Sequence, residues 1–416
     1  MGRQRRGRQV PHGMVMSTIA LPLLWWYLSS ISTPSSARSG GNGGSHVYAW
    51  GDNRVGQLGD GTTGQRAAPV AVALPAGVRI ASVAAGGVQS LAVDGDGRVY
   101  SWGNNDDGQL GDGSTVQRSR PAVAALPAGV RALSVSEGVC QSLVVGSDGR
   151  VYAWGSRAYG EIGEGSAAGL QKRPLGVTLA PGVRAVSVAA GLGRSFAVGS
   201  DDRLYAWGGV DGRLFSPMSF RTVIFRHLLE RHTPGAVLVP GHVRIRFVSS
   251  GLADTLALGS DGRIYGWGNN YYGNIGDGTT TDRPTPTAVA LPAGVRAVSV
   301  AVGDTHNLAL GSDGRVYAWG DNTYGQLGDG TRTERHVPTA VALPKGVHAV
   351  SIAAGSYDSM AVGSDGRLYA WGNDRYGQLG DGSTTERDTP EALSLPTGAK
   401  ISSVSAGYYH CLALTS

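Results

Sequence analysis

The sequence predicts an all-β fold, a seven-bladed β-propeller with non-covalent ring closure by the two chain ends. Seven Trp-Gly pairs recur, beginning at Trp50, Trp102, Trp154, Trp207, Trp267, Trp319 and Trp371. They follow one another after 52, 52, 53, 60, 52 and 52 residues. A fixed period near fifty residues is typical of blades that each supply one small sheet. Glycine makes up 66 of 416 residues, which suits short strands joined by tight turns.

Residues 1–37 are predicted to be a signal peptide. Four arginines among the first twelve residues precede an uncharged, mostly apolar run at 14–31, and small residues at a cleavage position end at Ala37. This is the order of a secretory signal, so we expect a secreted, extracellular protein. An uncleaved anchor that displays the protein outside the membrane is an alternative, because the run is borderline for crossing a bilayer. A disordered leader is another.

The rest of the chain is predicted to be a flexible linker at 38–45 followed by one propeller domain at 46–416, with an irregular insertion at 209–240. The formal net charge is +5, but without the four leading arginines it is about +1 (36−4 basic against 31 acidic residues). No nucleic-acid partner is therefore expected, and we expect a monomer. Cys140 and Cys411 are expected to be free, buried thiols, with a disulfide as the alternative.

Each repeat is predicted to hold four short strands. Asp-Gly pairs between the second and third strands favour a tight hairpin of the primed type, and the fourth repeat has Asp201-Asp202 instead. Since that hairpin reverses the chain, the loop after Ala-Ala-Gly (the AAG loop) and the loop after Trp-Gly (the WG loop) must emerge at one end of the blade. We call this end the variable face and the opposite end the turn face.

A cation is expected at the start of each first strand, on the turn face. These first-strand cations are Arg79, Arg131, Arg184, Arg244, Arg296, His348 and Lys400. They have no acidic neighbour in the sequence, unlike the arginines of the Ser-Asp-Gly-Arg turns. The sequence therefore predicts a cationic ring on this face.

The two chain ends are expected to share one blade. The first repeat begins at a third strand (47–51) and the last ends after a second strand (410–414). Pairing between these strands would close the ring and remove an exposed sheet edge.

The repeated pattern AAGxxHSLAL-GSDGRVYAWG-xNxxGQLGDGT resembles the regulator of chromosome condensation (RCC1) repeat family over residues 46–416. The resemblance implies a seven-bladed propeller. The founder of that family is an exchange factor for the small GTPase Ran that docks on chromatin, whereas bacterial relatives are often secreted binders, including an inhibitor of β-lactamases. The export-like leader, and the lack of a recognisable hairpin wedge in the sequence, favour the secreted bacterial type.

The sequence contains no recognised catalytic motif: it lacks GxxxxGK[ST], GxSxG, HExxH and paired CxxC segments. No enzyme activity, cofactor or metal site is expected. His306 and His410 occupy a position that the resemblance implies is structural. The recurring tryptophans are expected to fill space between blades. One carboxylate in each GQLGDG segment is too few for calcium and is expected to cap a turn: Asp60, Asp112, Glu164, Asp277, Asp329 and Asp381.

Tyrosines and aspartates on the variable face are the candidate partner-binding residues. The WG loops supply Tyr159, Tyr271, Tyr272, Tyr324 and Tyr376, and the AAG loops supply Asp304, Tyr357, Asp358, Tyr408 and Tyr409. Tyrosine provides rigid contact area with a polar hydroxyl, and it is enriched at binding hot spots. For Tyr159, Tyr324 and Tyr376, packing within the loop is an equal alternative.

These patterns predict an exported, non-catalytic module that binds or inhibits an unidentified protein partner. A guanine-nucleotide exchange factor is one alternative, and an anion or glycan binder that uses the Arg-rich turn face is another.

The insertion in the fourth repeat predicts a short amphipathic helix over 215–232. Ser216 is a suitable cap, and Phe220, Ile224 and Leu228 have helical spacing, with Thr233-Pro234-Gly235 as a stop signal. The helix is expected either to dock on the blade edge or to contact a partner or a membrane. A membrane contact is expected only if the leader stays uncleaved.

Overall fold

The computed structural model describes residues 46–167, 169–209, 231–393, 395 and 400–416. The predicted signal peptide and linker lie outside the described residues, as does the predicted helix up to residue 230. The described part of the chain contains no helix with the length and apolar composition that crossing a bilayer requires.

Seven antiparallel sheets of four strands make up the described chain, so the all-β seven-bladed propeller is confirmed. The chain begins with β1 (Val47–Gly51) and β2 (Arg66–Ala71). Blade 1 contains β3 (Ile80–Ala85), β4 (Gln89–Asp94), β5 (Val99–Gly103) and β6 (Arg118–Val123). Blade 2 contains β7 (Ala132–Glu137), β8 (Gln141–Gly146), β9 (Val151–Ser156) and β10 (Leu170–Val177). Blade 3 contains β11 (Ala185–Ala190), β12 (Arg194–Gly199), β13 (Leu204–Gly208) and β14 (Arg231–Val237).

The remaining blades follow the same order. Blade 4 contains β15 (Ile245–Ser250), β16 (Asp254–Gly259), β17 (Ile264–Gly268) and β18 (Arg283–Ala288), after a short 3-10 turn at Pro240–His242. Blade 5 contains β19 (Ala297–Val302), β20 (His306–Gly311), β21 (Val316–Gly320) and β22 (Arg335–Ala340). Blade 6 contains β23 (Ala349–Ala354), β24 (Asp358–Gly363), β25 (Leu368–Gly372) and β26 (Arg387–Leu393). The last strands are β27 (Ile401–Ala406) and β28 (His410–Thr415).

Blade 7 is assembled from both ends of the chain. Its strand order is β2-β1-β28-β27, and β1 pairs with β28 over five residues, from Val47 opposite Leu414 to Gly51 opposite His410. The first strands of successive blades contact one another around a central channel, and β27 contacts β3. The sheet that joins the chain ends therefore occupies the position between blades 6 and 1.

The Ser-Asp-Gly-Arg turns differ from the primed type that the sequence suggested. In the turn at Asp148, Gly149 alone has a positive φ (82°), and its N–H donates to Gly146 O while Gly146 N–H donates to Arg150 O. This is a three-residue hairpin loop that ends in a left-handed glycine. In blade 3 the same position is Asp202, which takes a φ of 60°. Because aspartate tolerates this conformation better than most residues, the turn is retained.

The recurring tryptophan bonds one blade to the next at six blade boundaries of the described chain. Trp102 Nε1 in blade 1 donates to Gln57 O, which lies in the GQLG segment of blade 7, at 2.8 Å. The equivalent indoles of Trp50, Trp154, Trp207, Trp319 and Trp371 make the same bond at 2.7–2.9 Å. The predicted packing role of the tryptophans is confirmed, since these six side chains are fully buried.

Seven glycines form a narrow neck where the channel meets the variable face. They are Gly86, Gly138, Gly191, Gly251, Gly303, Gly355 and Gly407. A Cβ on Gly138 would lie 2.7 Å from Gly191 O of the next blade, and every other member of the ring faces the next blade's carbonyl in the same way. Only glycine allows the seven loops to approach so closely.

The insertion at 209–240 is not irregular throughout. Thr233-Pro234-Gly235, which the sequence suggested as a helix stop, lies in β14, the fourth strand of blade 3. β14 pairs with β13 between Leu204–Val237 and Gly208–Arg231, with a register shift between Ala206 and Gly208. The same shift occurs in the third strands of other blades, so sheet pairing overrides the local turn signal.

Replacing Gly138 by alanine should lower the stability of the whole propeller. The new Cβ would lie 2.7 Å from Gly191 O, a backbone atom that cannot rotate away, and 2.7 Å from the Gln141 side chain, so we expect a loss of about 1–3 kcal/mol in the free energy of unfolding. Gly95→Ala is the matched control, because Gly95 has no positive φ and no atom within 4 Å of its Cβ position. Urea denaturation of both variants checks this. Equal stability of the two would contradict the packing of the neck.

Candidate functional site

The variable face brings the two predicted loop types together. Asp52 N–H in the WG loop of blade 7 donates to Tyr409 O in the AAG loop at 2.8 Å, and Asn104 N–H donates to Val88 O in blade 1 at 3.0 Å. The two loops of one blade are thus joined directly. This follows from the hairpin between the second and third strands, which places both loops at the same end.

Five tyrosines from blades 5, 6 and 7 form one aromatic surface. The rings of Tyr324 and Tyr357 are 5.3 Å apart, those of Tyr376 and Tyr409 are 4.8 Å apart, and those of Tyr408 and Tyr409 are 6.3 Å apart. In the first two pairs a WG-loop tyrosine of one blade contacts an AAG-loop tyrosine of the next blade. We call these five residues the tyrosine sector.

Two arginines extend the tyrosine sector outwards. The guanidinium carbon of Arg54 lies 5.1 Å from the centre of the Tyr376 ring, and that of Arg375 lies 5.7 Å from it. Asp52 holds Arg54 with an Nε–Oδ1 distance of 3.0 Å. The two distances from guanidinium carbon to ring centre are within the range of cation–π contact. The sector therefore combines aromatic area with fixed positive charge, and sequence reasoning had not identified either arginine.

Asp304 marks the edge of the sector towards the neck. Ser356 Oγ in blade 6 donates to Asp304 Oδ2 at 2.5 Å. Burial raises the pKa of Asp304 to about 7, in spite of this hydrogen bond. Burial and the nearby Asp304 carboxyl also raise the pKa of Tyr357 to about 12, and they raise the pKa of Tyr408 still further. These tyrosines stay neutral hydroxyl groups at physiological pH.

The other predicted tyrosines lie apart from the tyrosine sector. Tyr271 and Tyr272 form a T-shaped pair on blade 4 with ring centres 4.8 Å apart, and Tyr271 is 66% exposed. Tyr159 lies on blade 2, where its ring packs against Gly193 of the next blade. The structure thus divides the predicted residues into one contiguous group, one exposed pair and one packed ring.

Asp358 is not a surface residue, in contrast to the prediction. It is fully buried at the first position of β24, where Cys411 Sγ donates to Asp358 Oδ2 at 3.7 Å, and burial raises its pKa well above the ordinary value. The same strand position holds a buried polar residue in every blade: Gln89, Gln141, Arg194, Asp254, His306, Asp358 and His410. Aligning the repeats by this position would have revealed its structural role.

The histidines at this position are structural, as expected. His306 Nε2 lies 2.8 Å from Ser359 Oγ of the next blade, and His410 Nε2 lies 2.9 Å from Ser90 Oγ. Burial lowers the pKa of each imidazole to about 4. Both cysteines are free; Cys411 is buried, whereas Cys140 is only partly buried.

Turn capping is confirmed for the five aspartates of the GQLGDG segments, whereas Glu164 pairs with Arg157 Nη2 at 2.7 Å. Asp60 Oδ1 accepts from Thr62 N–H at 2.8 Å, and its Oδ2 pairs with Arg66 Nη2 at 2.9 Å. Burial raises the pKa of Asp60, but the bonds from Thr62 and Arg66 lower it by more. The same arrangement recurs at Asp112, Asp277, Asp329 and Asp381. Among the described residues, no group of three or more His, Cys, Asp or Glu side chains is placed to hold a metal.

Comparison with known proteins agrees with this geometry. A family model described as the RCC1-like domain matches residues 46–413. The chain belongs to the RCC1-like domain family. This RCC1-like propeller is 31% identical over 339 residues to the ultraviolet-B receptor UVR8 of Arabidopsis thaliana, which is 81% of this chain and 75% of UVR8. It is 30% identical over 382 residues to the human regulator of chromosome condensation, with 88% and 90% of the two chains covered.

Other relatives contain the propeller as a small part. Human HERC2, an E3 ubiquitin-protein ligase, is 32% identical over 383 residues, which is 90% of this chain but 8% of HERC2. Among solved structures, yeast Prp20p has a TM-score of 0.78 at 25% identity and covers 94% of each chain. Human WBSCR16 has a TM-score of 0.77 at 24% identity, with coverage of 90% of this chain and 99% of WBSCR16. These relatives are eukaryotic, and the secreted bacterial type stays a prediction.

Asp304→Asn should change how stability depends on pH. Between pH 4 and 7 folded Asp304 holds a proton that the unfolded chain, with an ordinary pKa of 3.8, has lost. Raising the pH through this range therefore costs the parent protein stability, by up to about 1.4 kcal/mol per pH unit, and the asparagine variant avoids that loss. Urea denaturation at pH 5, 6, 7 and 8 measures the difference. A difference that does not grow between pH 5 and 7 would contradict the burial of this carboxyl.

Proposed function

We propose that this RCC1-like propeller is a non-catalytic protein-binding module and that the tyrosine sector is its contact surface. The observation that carries the proposal is the gathering of five tyrosines from three successive blades in two groups of contacting rings, Tyr324 with Tyr357, and Tyr409 with Tyr376 and Tyr408. Tyrosine and arginine are the residues most enriched at interface hot spots, and Arg54 and Arg375 adjoin the rings. A standard interface buries about 800 Å² on each partner, which a few adjacent blades can supply.

The chemistry of the sector favours binding over catalysis. The titratable groups nearest to it are engaged in packing: Asp304 is bonded to Ser356, and His410 to Ser90. The relatives support a protein partner. Yeast Prp20p binds Gsp1p and histones, and a second structure contains Prp20p in complex with Kap60. The partner of the present chain is proposed only as a protein surface that accepts aromatic and cationic side chains.

Within the sector the tyrosines do not contribute equally. Tyr408 N–H lies 3.3 Å from Gly86 O and Gly87 O of blade 1, and its ring packs against Gly87. It therefore helps to hold the neck. Tyr376 is flanked by two arginines at the outer edge of the sector, so it is the residue that a partner can approach with the least rearrangement.

A photo-crosslinking amino acid placed at Tyr376 should capture the partner, because binding would bring the partner within reach of this position. The matched control carries the same group at Val123, which is exposed on the outer strand of blade 1. We expect a crosslinked product from the Tyr376 position that disappears when Tyr324→Ser and Tyr409→Ser are added, while the melting temperature changes little. Identical products from both positions would contradict the proposal.

A nucleotide-release assay separates binding from exchange activity. With purified small GTPases loaded with a fluorescent nucleotide, the propeller should leave the release rate unchanged. Accelerated release would overturn the module proposal and favour the exchange-factor alternative.

Export is the second part of the proposal and rests on the leader at 1–37. Expression of the full-length chain in a bacterial secretion host should yield a product cut near Ala37, because the charged, apolar and small-residue segments follow in the order that signal peptidase requires. Intact-mass measurement and N-terminal sequencing of the secreted product check this. An uncut chain in the membrane or the cytosol would contradict export by cleavage.

A further inference from the structure

Every first strand contains a bulge at the same place. The register with the second strand shifts between residues such as Ile80 and Ser82, so the first strand has one residue more than the second strand at this point, and the shift recurs in all seven blades. The bulge residues are Ala81, Leu133, Val186, Arg246, Val298, Val350 and Ser402. Bulges re-aim side chains, and here they do so at the end of the channel that meets the turn face.

The bulge residues give that end of the channel an apolar rim. Leu133 is 41% exposed, Val186 is 52% exposed and Val350 is 38% exposed, whereas most large apolar side chains of the described propeller are buried between blades. Val298 and Arg246, at the same position, line the channel itself. An apolar residue thus occupies this position in five blades, and Arg246 and Ser402 interrupt the rim in blades 4 and 7.

Behind the rim lies a chamber of suitable size for one or two side chains. The channel encloses about 300 Å³ between the bulges and the glycine neck, and serines at the next strand position, including Ser187, Ser299 and Ser351, line its wall. This volume is at the lower end of the range for ligand pockets, about 300–1,000 Å³.

The first-strand cations surround this rim. Each stands two residues before a bulge residue, and all seven are exposed. Their position is fixed by the neighbouring turn: Ala132 N–H donates to Gly97 O at 2.8 Å, which places Arg131 directly over the turn of blade 1. The predicted cationic ring is therefore present around the channel mouth.

The ring keeps most of its charge unpaired. Among the described residues, Arg244 is the one member with a carboxylate within 4.0 Å, at 3.3 Å from Asp202 Oδ2, a neighbour in space and not in the sequence. Five other turn aspartates bond to a tyrosine of their own hairpin instead: Asp148, Asp201, Asp261, Asp313 and Asp365. Asp148 Oδ2, for example, accepts from Tyr152 Oη at 2.8 Å, and Asp148 Oδ1 accepts from the Arg150 N–H.

We propose that the channel mouth on the turn face binds an acidic peptide segment whose apolar side chain enters the mouth. Charge complementarity favours an acidic ligand, and the apolar rim inside the ring favours one that carries an apolar side chain. The chain's own leader does not fit this description, because four arginines lie in its first twelve residues. A duplex nucleic acid could bind the cationic ring but has no apolar side chain to contact the rim. Its binding is therefore measured as a competing outcome of the test.

Fluorescence anisotropy with a labelled peptide tests the site on the full chain. The probe has a Phe-Leu pair flanked by glutamates, and the comparison probe has Gly-Ser in place of Phe-Leu. We expect Arg131→Glu/Arg184→Glu to raise the Kd for the Phe-Leu probe at least about tenfold at about 0.15 M salt. The control Arg150→Glu/Arg203→Glu, which makes the same charge change in the turns outside the ring, should raise it less than about threefold.

A second pair of variants separates the rim from the ring. Leu133→Ser/Val186→Ser should weaken binding of the Phe-Leu probe about tenfold and leave the Gly-Ser probe unaffected, since it removes apolar contact without changing charge. Because both residues are exposed, the melting temperature should stay unchanged. No binding of the Phe-Leu probe, equal affinity for the two probes, equal loss in the control, or tighter binding of a duplex DNA of matched charge would each overturn the proposal.

Discussion

One backbone carbonyl joins a blade to the next at six blade boundaries of the described chain, and the rest of the structure depends on this link. Gln109 O, in the GQLG segment of blade 1, accepts from Trp154 Nε1 at 2.7 Å and from Ser142 Oγ at 2.8 Å, both in blade 2. The segment must therefore reach into the core of its neighbour. Gly111 makes this possible, because a Cβ there would lie 2.7 Å from Trp154 Nε1. A buried acceptor with two donors is costly to leave unpaired, so the register between blades is fixed.

This link explains which parts of the repeat are free to differ. The second and third strands, the GQLG segment and the glycine neck are packed between blades and recur with little change, whereas the tips of the AAG and WG loops and the bulge residues can carry different side chains from blade to blade. The tyrosine sector and the apolar rim both lie at such free positions, on opposite faces. The sequence of this segment differs in blade 3, and the tryptophan of the following blade, Trp267, is 5% exposed and rests edge-on against Phe196 at 6.1 Å.

The sequence alone was sufficient to predict the features that follow from the repeat period of about fifty residues. Blade number, the shared blade, the two faces and the turn-capping role of Asp60 and its equivalents all arise from local patterns that repeat seven times. It was insufficient where a single blade departs from the pattern. Asp358 is a charged residue of the kind expected at the surface, but it lies in the core. β14 forms although it contains a Pro-Gly turn signal, and Arg244 pairs with Asp202 of the preceding blade. The burial of Asp358 and the ion pair of Arg244 depend on the neighbouring blade, and β14 depends on pairing with β13, so a local pattern could not reveal them.

Hydrogen exchange measured by mass spectrometry tests most directly the claim that the links between blades make one cooperative ring. If they do, amides in the second and third strands of all seven blades should exchange slowly and at similar rates. This includes β1 and β28, which come from opposite ends of the chain. Exchange of β1 and β28 that is faster by orders of magnitude than that of blades 1 to 6 would contradict the account, because it would show a blade opening without its neighbours.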